Sequence, residues 1–99
     1  MIVKKHVDQH RRLMLAICDK EILGKTFEEG KRVLNLDSQF YRGEEKSEEE
    51  TLNLMKMAYC MNIAGEKSVK FAKDNGYVEN VITISGIPHA QVVVESDIL

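Results

Sequence analysis

The chain has 99 residues, 43% of them hydrophobic and 30% charged, with a net charge of −2. That is enough apolar content for one packed core and too little net charge for a disordered chain, so residues 1–99 are read as a single globular domain. A multi-domain enzyme is excluded by length, no run approaches the ~20 apolar residues of a membrane span, and the first residues lack a signal peptide's apolar middle. A cytosolic protein is expected, and the two distant cysteines, Cys18 and Cys60, read as core thiols rather than a disulfide or metal framework.

In chain order, residues 2–8 and 12–18 read as two strands around the polar turn Gln9-His10-Arg11. The second contains the unbroken apolar run Leu13 to Cys18 and is expected in the middle of a sheet. Asp19 to Gly24 reads as one helical turn, residues 32–36 as a short strand and residues 37–46 as a loop. Ser47 with Glu50 three residues on is a capping box that opens a helix, so the acidic run from Glu44 to Glu50 needs no ligand.

From there Leu52, Met55, Tyr59 and Ile63 fall on one face, and Leu54, Met57, Ala58 and Met61 widen it, which predicts a Met-rich helix over 47–64. A second helix is predicted over 66–75, ended by Gly76 in the left-handed conformation. Two strands, residues 80–85 and 89–95, close the chain. The expected fold is α+β, a mostly antiparallel five-stranded sheet with two consecutive helices packed on one face.

The last hairpin can be joined in two ways. A three-residue connection, Gly86-Ile87-Pro88, pairs Ser85 with His89 and Thr83 with Gln91 and sorts polar from apolar side chains cleanly, whereas a two-residue connection mixes them. The three-residue form predicts a polar patch of Thr83, Ser85, His89 and Gln91 away from the core, beside Gly86, where another molecule can approach the backbone. Ser85 near His89 superficially resembles a nucleophile and its base, yet nothing in the sequence marks an orienting acid or an oxyanion hole.

Charge is polarised: residues 1–43 carry +3 and residues 44–99 carry −5, with all four arginines in the first part. Clustered cations gain affinity for nucleic acid by releasing its counterions. His6 and His10 lie on a strand and turn, where a four-residue spacing does not converge on a metal, and neither a metal nor a cofactor is expected.

The runs Leu15-Ala16-Ile17-Cys18-Asp19-Lys20-Glu21-Ile22-Leu23-Gly24-Lys25-Thr26-Phe27, Asn62-Ile63-Ala64-Gly65-Glu66 and Gly86-Ile87-Pro88-His89-Ala90-Gln91 together resemble the small archaeal proteins of domain-of-unknown-function family 424. The resemblance spans nearly the whole chain. It implies a stand-alone archaeal cytosolic domain and carries over no catalytic residue.

The leading functional expectation is a non-enzymatic binding module that contacts RNA, around the translation machinery. His89, Gln91, Ser85, Thr83 and Gly86 would form the recognition patch, and Arg11, Arg12, Lys25 and Arg32 would meet phosphates. The alternatives are a protein-interaction or homodimeric subunit using the Met-rich helix 47–64, and a small hydrolase or transferase using His89.

Overall fold

The computed structural model describes residues 1–78 and 80–94. Strands β1 (Ile2–Val7) and β2 (Leu13–Cys18) pair antiparallel around a turn fixed by Asp8, whose carboxylate accepts from the backbone N–H groups of His10 and Arg12 at 2.8 and 2.9 Å. Next come a 3-10 turn at Lys20–Ile22, a separate hairpin of β3 (Thr26–Glu29) and β4 (Arg32–Asn35), a second 3-10 turn at Gln39–Tyr41, and the two-residue β5 (Glu44–Glu45). Helix α1 (Glu48–Met55), β6 (Cys60–Ala64), helix α2 (Glu66–Asp74), β7 (Ile82–Ile84) and β8 (Ile87–Val93) complete the described chain.

The class is α+β, but the main sheet has six strands in the order β5-β1-β2-β6-β8-β7 and is mixed, since β2 and β6 run parallel. Hairpin β3–β4 forms a second, two-stranded sheet. The capping box is present as read: Ser47 Oγ accepts from the Glu50 N–H, and Glu50 Oε1 accepts from the Ser47 N–H, both at 3.1 Å. Gly76 has the expected positive φ of 80° after α2.

The predicted helix over 47–64 is overturned. Helix α1 stops at Met55, its end tightened by 3-10 bonds from Met57 and Ala58 to the carbonyls of Leu54 and Met55, and Cys60–Ala64 becomes a central strand. The excess apolar width read on the helical wheel has a different cause. Met61 and Ile63 are fully buried because they alternate on one face of a strand flanked by β2 and β8. The two helices are therefore not consecutive, although both pack on the same sheet face, where Met55, Ala58, Val69 and Ala72 meet Val3, Leu15, Ile17, Met61, Ile63 and Ala90.

The opposite face is also covered, though only in part. Leu34, Leu36 and Tyr41, from hairpin β3–β4 and the segment after it, pack on Ile2, Ala16, Cys18, Ala64 and Ile84. This second apolar layer explains the other correction. The β7–β8 connection is the two-residue turn Ser85-Gly86, with φ of 49° and 80°, and the register pairs Ile82 with His89, Thr83 with Pro88 and Ile84 with Ile87. Sorting by polarity fails because Ile84 has an apolar partner layer on the face taken to be solvent. The predicted extension of the last strand to residue 95 lies outside the described residues.

Candidate functional site

Alternation along the strands places Ile2, Cys18, Ala64, His89 and Ile82 in one cross-strand row on the partly covered face. The next row is Lys4, Ala16, Asn62 and Gln91, and the one beyond it is His6, Met14, Cys60 and Val93. The hairpin's apolar layer reaches the first row and Ala16. On the β1 side the Gln39–Tyr41 turn extends it: the His6 ring stacks on Phe40 at 4.6 Å between centroids and donates from Nε2 to the Phe40 carbonyl at 2.9 Å. On the β6–β8 side the layer stops short, leaving Asn62 and Gln91 directly opposite one another at the open part of the sheet.

Asn62 is half-buried, Gln91 exposed, and among the described residues neither side chain makes a hydrogen bond within the protein. His89 borders the pair one row away, half-buried, and burial holds its imidazole below the usual histidine pKa. A groove of about 460 Å³ runs alongside, lined by Gln91, Val92, Val93 and Val94 on one wall and by Gly76, Tyr77 and Asn80 on the other. Two carboxamides and a neutral imidazole offer donors and acceptors to a planar polar ligand such as a nucleobase edge.

The sequence-predicted patch is divided by the true register. His89 and Gln91 share the face, whereas Thr83 stands opposite Pro88 and points to the other side. Ser85 lies in the turn and is used by the fold: its N–H donates to Glu29 Oε1 at 2.8 Å and its hydroxyl donates to the Glu28 carbonyl, tying β7–β8 to hairpin β3–β4. Ser85 is thus tied to hairpin β3–β4, and the cross-strand partner of His89 is Ile82. Gly86 completes the turn. Asn62 was missed because its place in the site depends on β6 being a strand, and only strand periodicity over 60–64 would have found it.

The four predicted phosphate contacts separate into two pairs. Arg11 and Arg12 sit in the β1–β2 turn, at the end of the sheet where β6 begins and β8 ends. Arg12 is largely committed, paired with Asp8 at 2.7 Å and lying 3.9 Å over the Tyr59 ring. Lys25 and Arg32 belong to the β3–β4 segment, which meets the sheet at its other end, beside Ser85. The open Asn62–Gln91 face lies between the two pairs.

The Met-rich surface is not as predicted either: Met55 and Met61 are fully buried, while Met57 is 72% exposed in the turn after α1. Cys18 is buried, and burial pushes its thiol up to about 11, as expected of an inert core cysteine. No helix among the described residues is long and apolar enough to cross a membrane.

Fold and site together define a small α+β protein with a mixed sheet, layered on both faces and open over β6 and β8. Its family is known by its sequence pattern: a model described as a protein of unknown function, DUF424, matches residues 7–94, and the chain belongs to that family. The fold is similar to the crystal structure of an uncharacterized conserved protein from Methanopyrus kandleri. The TM-score is 0.78 and the identity 21%, over 99% of this chain and 96% of that one. No curated protein matches the chain.

Proposed function

We propose that the protein is a non-enzymatic binding module that contacts single-stranded RNA through the open β6–β8 face, in the setting of the translation machinery. The observation that carries this reading is the Asn62–Gln91 pair: two carboxamides on adjacent strands, on the part of the sheet face that the hairpin layer leaves uncovered, with no partner of their own among the described residues. Unpaired bases are recognised through their edges by such groups, and Arg11 at one end of the face with Lys25 and Arg32 at the other supply charge for the flanking phosphates. His89, kept neutral by its burial, adds one acceptor.

The test is titration of a labelled single-stranded RNA oligonucleotide at two salt concentrations. The reading expects affinity that falls steeply with salt and is weakened about tenfold by Asn62→Ala/Gln91→Ala. Unchanged affinity in that double variant, or no binding at low salt, contradicts it.

A second reading, a protein-interaction or homodimeric subunit, is favoured by one observation. Val7 at the end of β1, Met57 and Tyr59 are large apolar side chains left 69%, 72% and 39% exposed. Light scattering of the wild type and of Met57→Glu tests it: a dimer dissociated by the glutamate supports it, and a monomer in both cases removes homodimerisation by this surface.

A further inference from the structure

Asp8, Arg12 and Tyr59 form a ladder at the end of the sheet where the β1–β2 turn meets the start of β6, outside the Asn62–Gln91 pair. It is fixed from the backbone outward. Asp8 Oδ1 accepts from the N–H groups of His10 and Arg12 at 2.8 and 2.9 Å, and the Arg12 N–H holds the carboxyl below the usual aspartate range, so the group stays ionised. Asp8 Oδ2 accepts from Arg12 Nε at 2.7 Å, which ties the guanidinium by one edge. Tyr59 supports one face of that group, with the guanidinium carbon 3.9 Å from the ring centroid. The Tyr59 backbone is itself anchored, its N–H donating to the Leu13 carbonyl at 2.7 Å and its carbonyl accepting from the Val94 N–H at 2.8 Å.

With one face and the Nε edge taken, the Arg12 side chain still leaves 42% of its surface to solvent, and Tyr59 is 39% exposed. What remains is a planar cation held in one orientation. The turn supplies a second observation. It is closed by the Arg11 N–H on the Asp8 carbonyl at 3.0 Å and the Asp8 N–H on the Arg12 carbonyl at 3.1 Å, and Arg11 has a φ of 62°, a left-handed position that favours glycine or asparagine. Arg11 is exposed, and its side chain makes no hydrogen bond or ion pair among the described residues. The fold bears backbone strain at Arg11 without using the side chain, which leaves its charge for a ligand.

We propose that the open face of the Arg12 guanidinium is a stacking platform for an unpaired nucleobase, with Arg11 meeting the phosphate of the same nucleotide. Splayed-out bases stack on guanidinium planes as they do on aromatic rings. A guanidinium already fixed by Asp8 and Tyr59 avoids the ordering cost that a free arginine incurs on binding. The platform rests on the RNA reading for its ligand class and deepens it. Tyr59 precedes Asn62 by three residues, about 10 Å along an extended strand, so one nucleotide stacks at the sheet end while a neighbour lies at the carboxamides.

The experiment has two arms on the full chain. In the first, adenosine 5′-monophosphate is titrated into 15N-labelled protein, with ribose 5-phosphate as the control that lacks a base. The platform expects a saturable shift of the Arg12 Nε–H resonance with the nucleotide and not with the sugar phosphate, lost in Arg12→Lys, which keeps the charge but not the plane, and retained in Asn62→Ala/Gln91→Ala. In the second arm, a single-stranded oligoadenylate is titrated, and Arg12→Lys is expected to bind about tenfold more weakly with an unchanged salt dependence, whereas Arg11→Ala makes that dependence shallower. Tyr59→Leu, checked by circular dichroism, removes the support and provides a second variant should Arg12→Lys fold poorly. Nucleotide shifts at Arg12 with the Asn62 and Gln91 carboxamides unmoved by the oligonucleotide uphold the platform and remove the open-face reading. Oligonucleotide binding that ignores Arg12→Lys and Tyr59→Leu overturns the platform and leaves the open face standing. Equal shifts with ribose 5-phosphate, or none with the nucleotide at millimolar concentration, also overturn it.

Discussion

Asp19 and Asn62 are both polar residues on the central parallel strands or at their ends, and the fold treats them oppositely. Asp19, just past the end of β2, is only 7% exposed and its carboxylate is fully employed. Oδ2 accepts from the Lys67 N–H at 3.0 Å, and Oδ1 accepts from the Ser68 N–H and hydroxyl at 2.7 Å each. It does for α2 what a capping side chain normally does from the preceding residue, because that residue, Gly65, has no side chain. A Cβ at Gly65, whose φ is 107°, would overlap the Asp19 carboxyl, so glycine and aspartate form one device. Asn62, two residues before Ala64 at the end of β6, contributes nothing comparable to the fold. Polar groups consumed by the architecture and polar groups left over by it thus lie within a few residues of each other, and the leftover ones are where function is to be sought.

The contrast is broken most forcefully from the Asp19 side. Asp19→Ala leaves the α2 N-terminus and the Ser68 hydroxyl without their acceptor and is expected to cost about 3 kcal/mol, a fall of roughly 10 °C or more in the thermal midpoint. Gly65→Ala forces an L side chain into positive φ against that carboxyl and is expected to cost about 2 kcal/mol, read in the same denaturation experiment. Asn62→Ala/Gln91→Ala should by contrast change stability by about 0.5 kcal/mol or less. A large loss there would mean that the pair belongs to the fold after all.

His89 sharpens the comparison through pH. Its folded-state pKa is depressed by burial, so the unfolded chain takes up a proton first as pH falls. The neutral form's contribution is intact above the ordinary histidine pKa of 6.5 and is lost as pH drops through the lower folded value. Denaturation midpoints measured between pH 7.5 and 5 should decline in the wild type and decline less in His89→Gln. The smallest effect concerns thiols: with its pKa raised to about 11 and its side chain buried, Cys18 should resist a thiol reagent at pH 8 until the protein unfolds.

Much of the architecture was legible where local chemistry decides it. The first two strands follow from alternation and an apolar run, α1 begins at its capping box, and α2 ends at Gly76. What failed depended on partners distant in sequence. Residues 60–64 carry apolar side chains at both helical and strand spacing, and only burial between β2 and β8 selects the strand. Strand β4 was legible at residues 32–36, but β3 and β5 are short and polar, too weak to signal by pattern, and the second apolar layer that this part of the chain builds is what misdirected the register argument at Ser85 and Gly86. His89 and Gln91 were visible in the sequence as polar residues on a final strand. Asn62, opposite Gln91, became visible only with β6.

The central claim, that the open β6–β8 face is a recognition surface, is tested most directly by mapping amide and side-chain carboxamide shifts of 15N-labelled protein on addition of a single-stranded RNA oligonucleotide. The account predicts that the Asn62 and Gln91 carboxamides and the His89 amide move together and saturate at one affinity. Saturable shifts elsewhere with those three unmoved would contradict it.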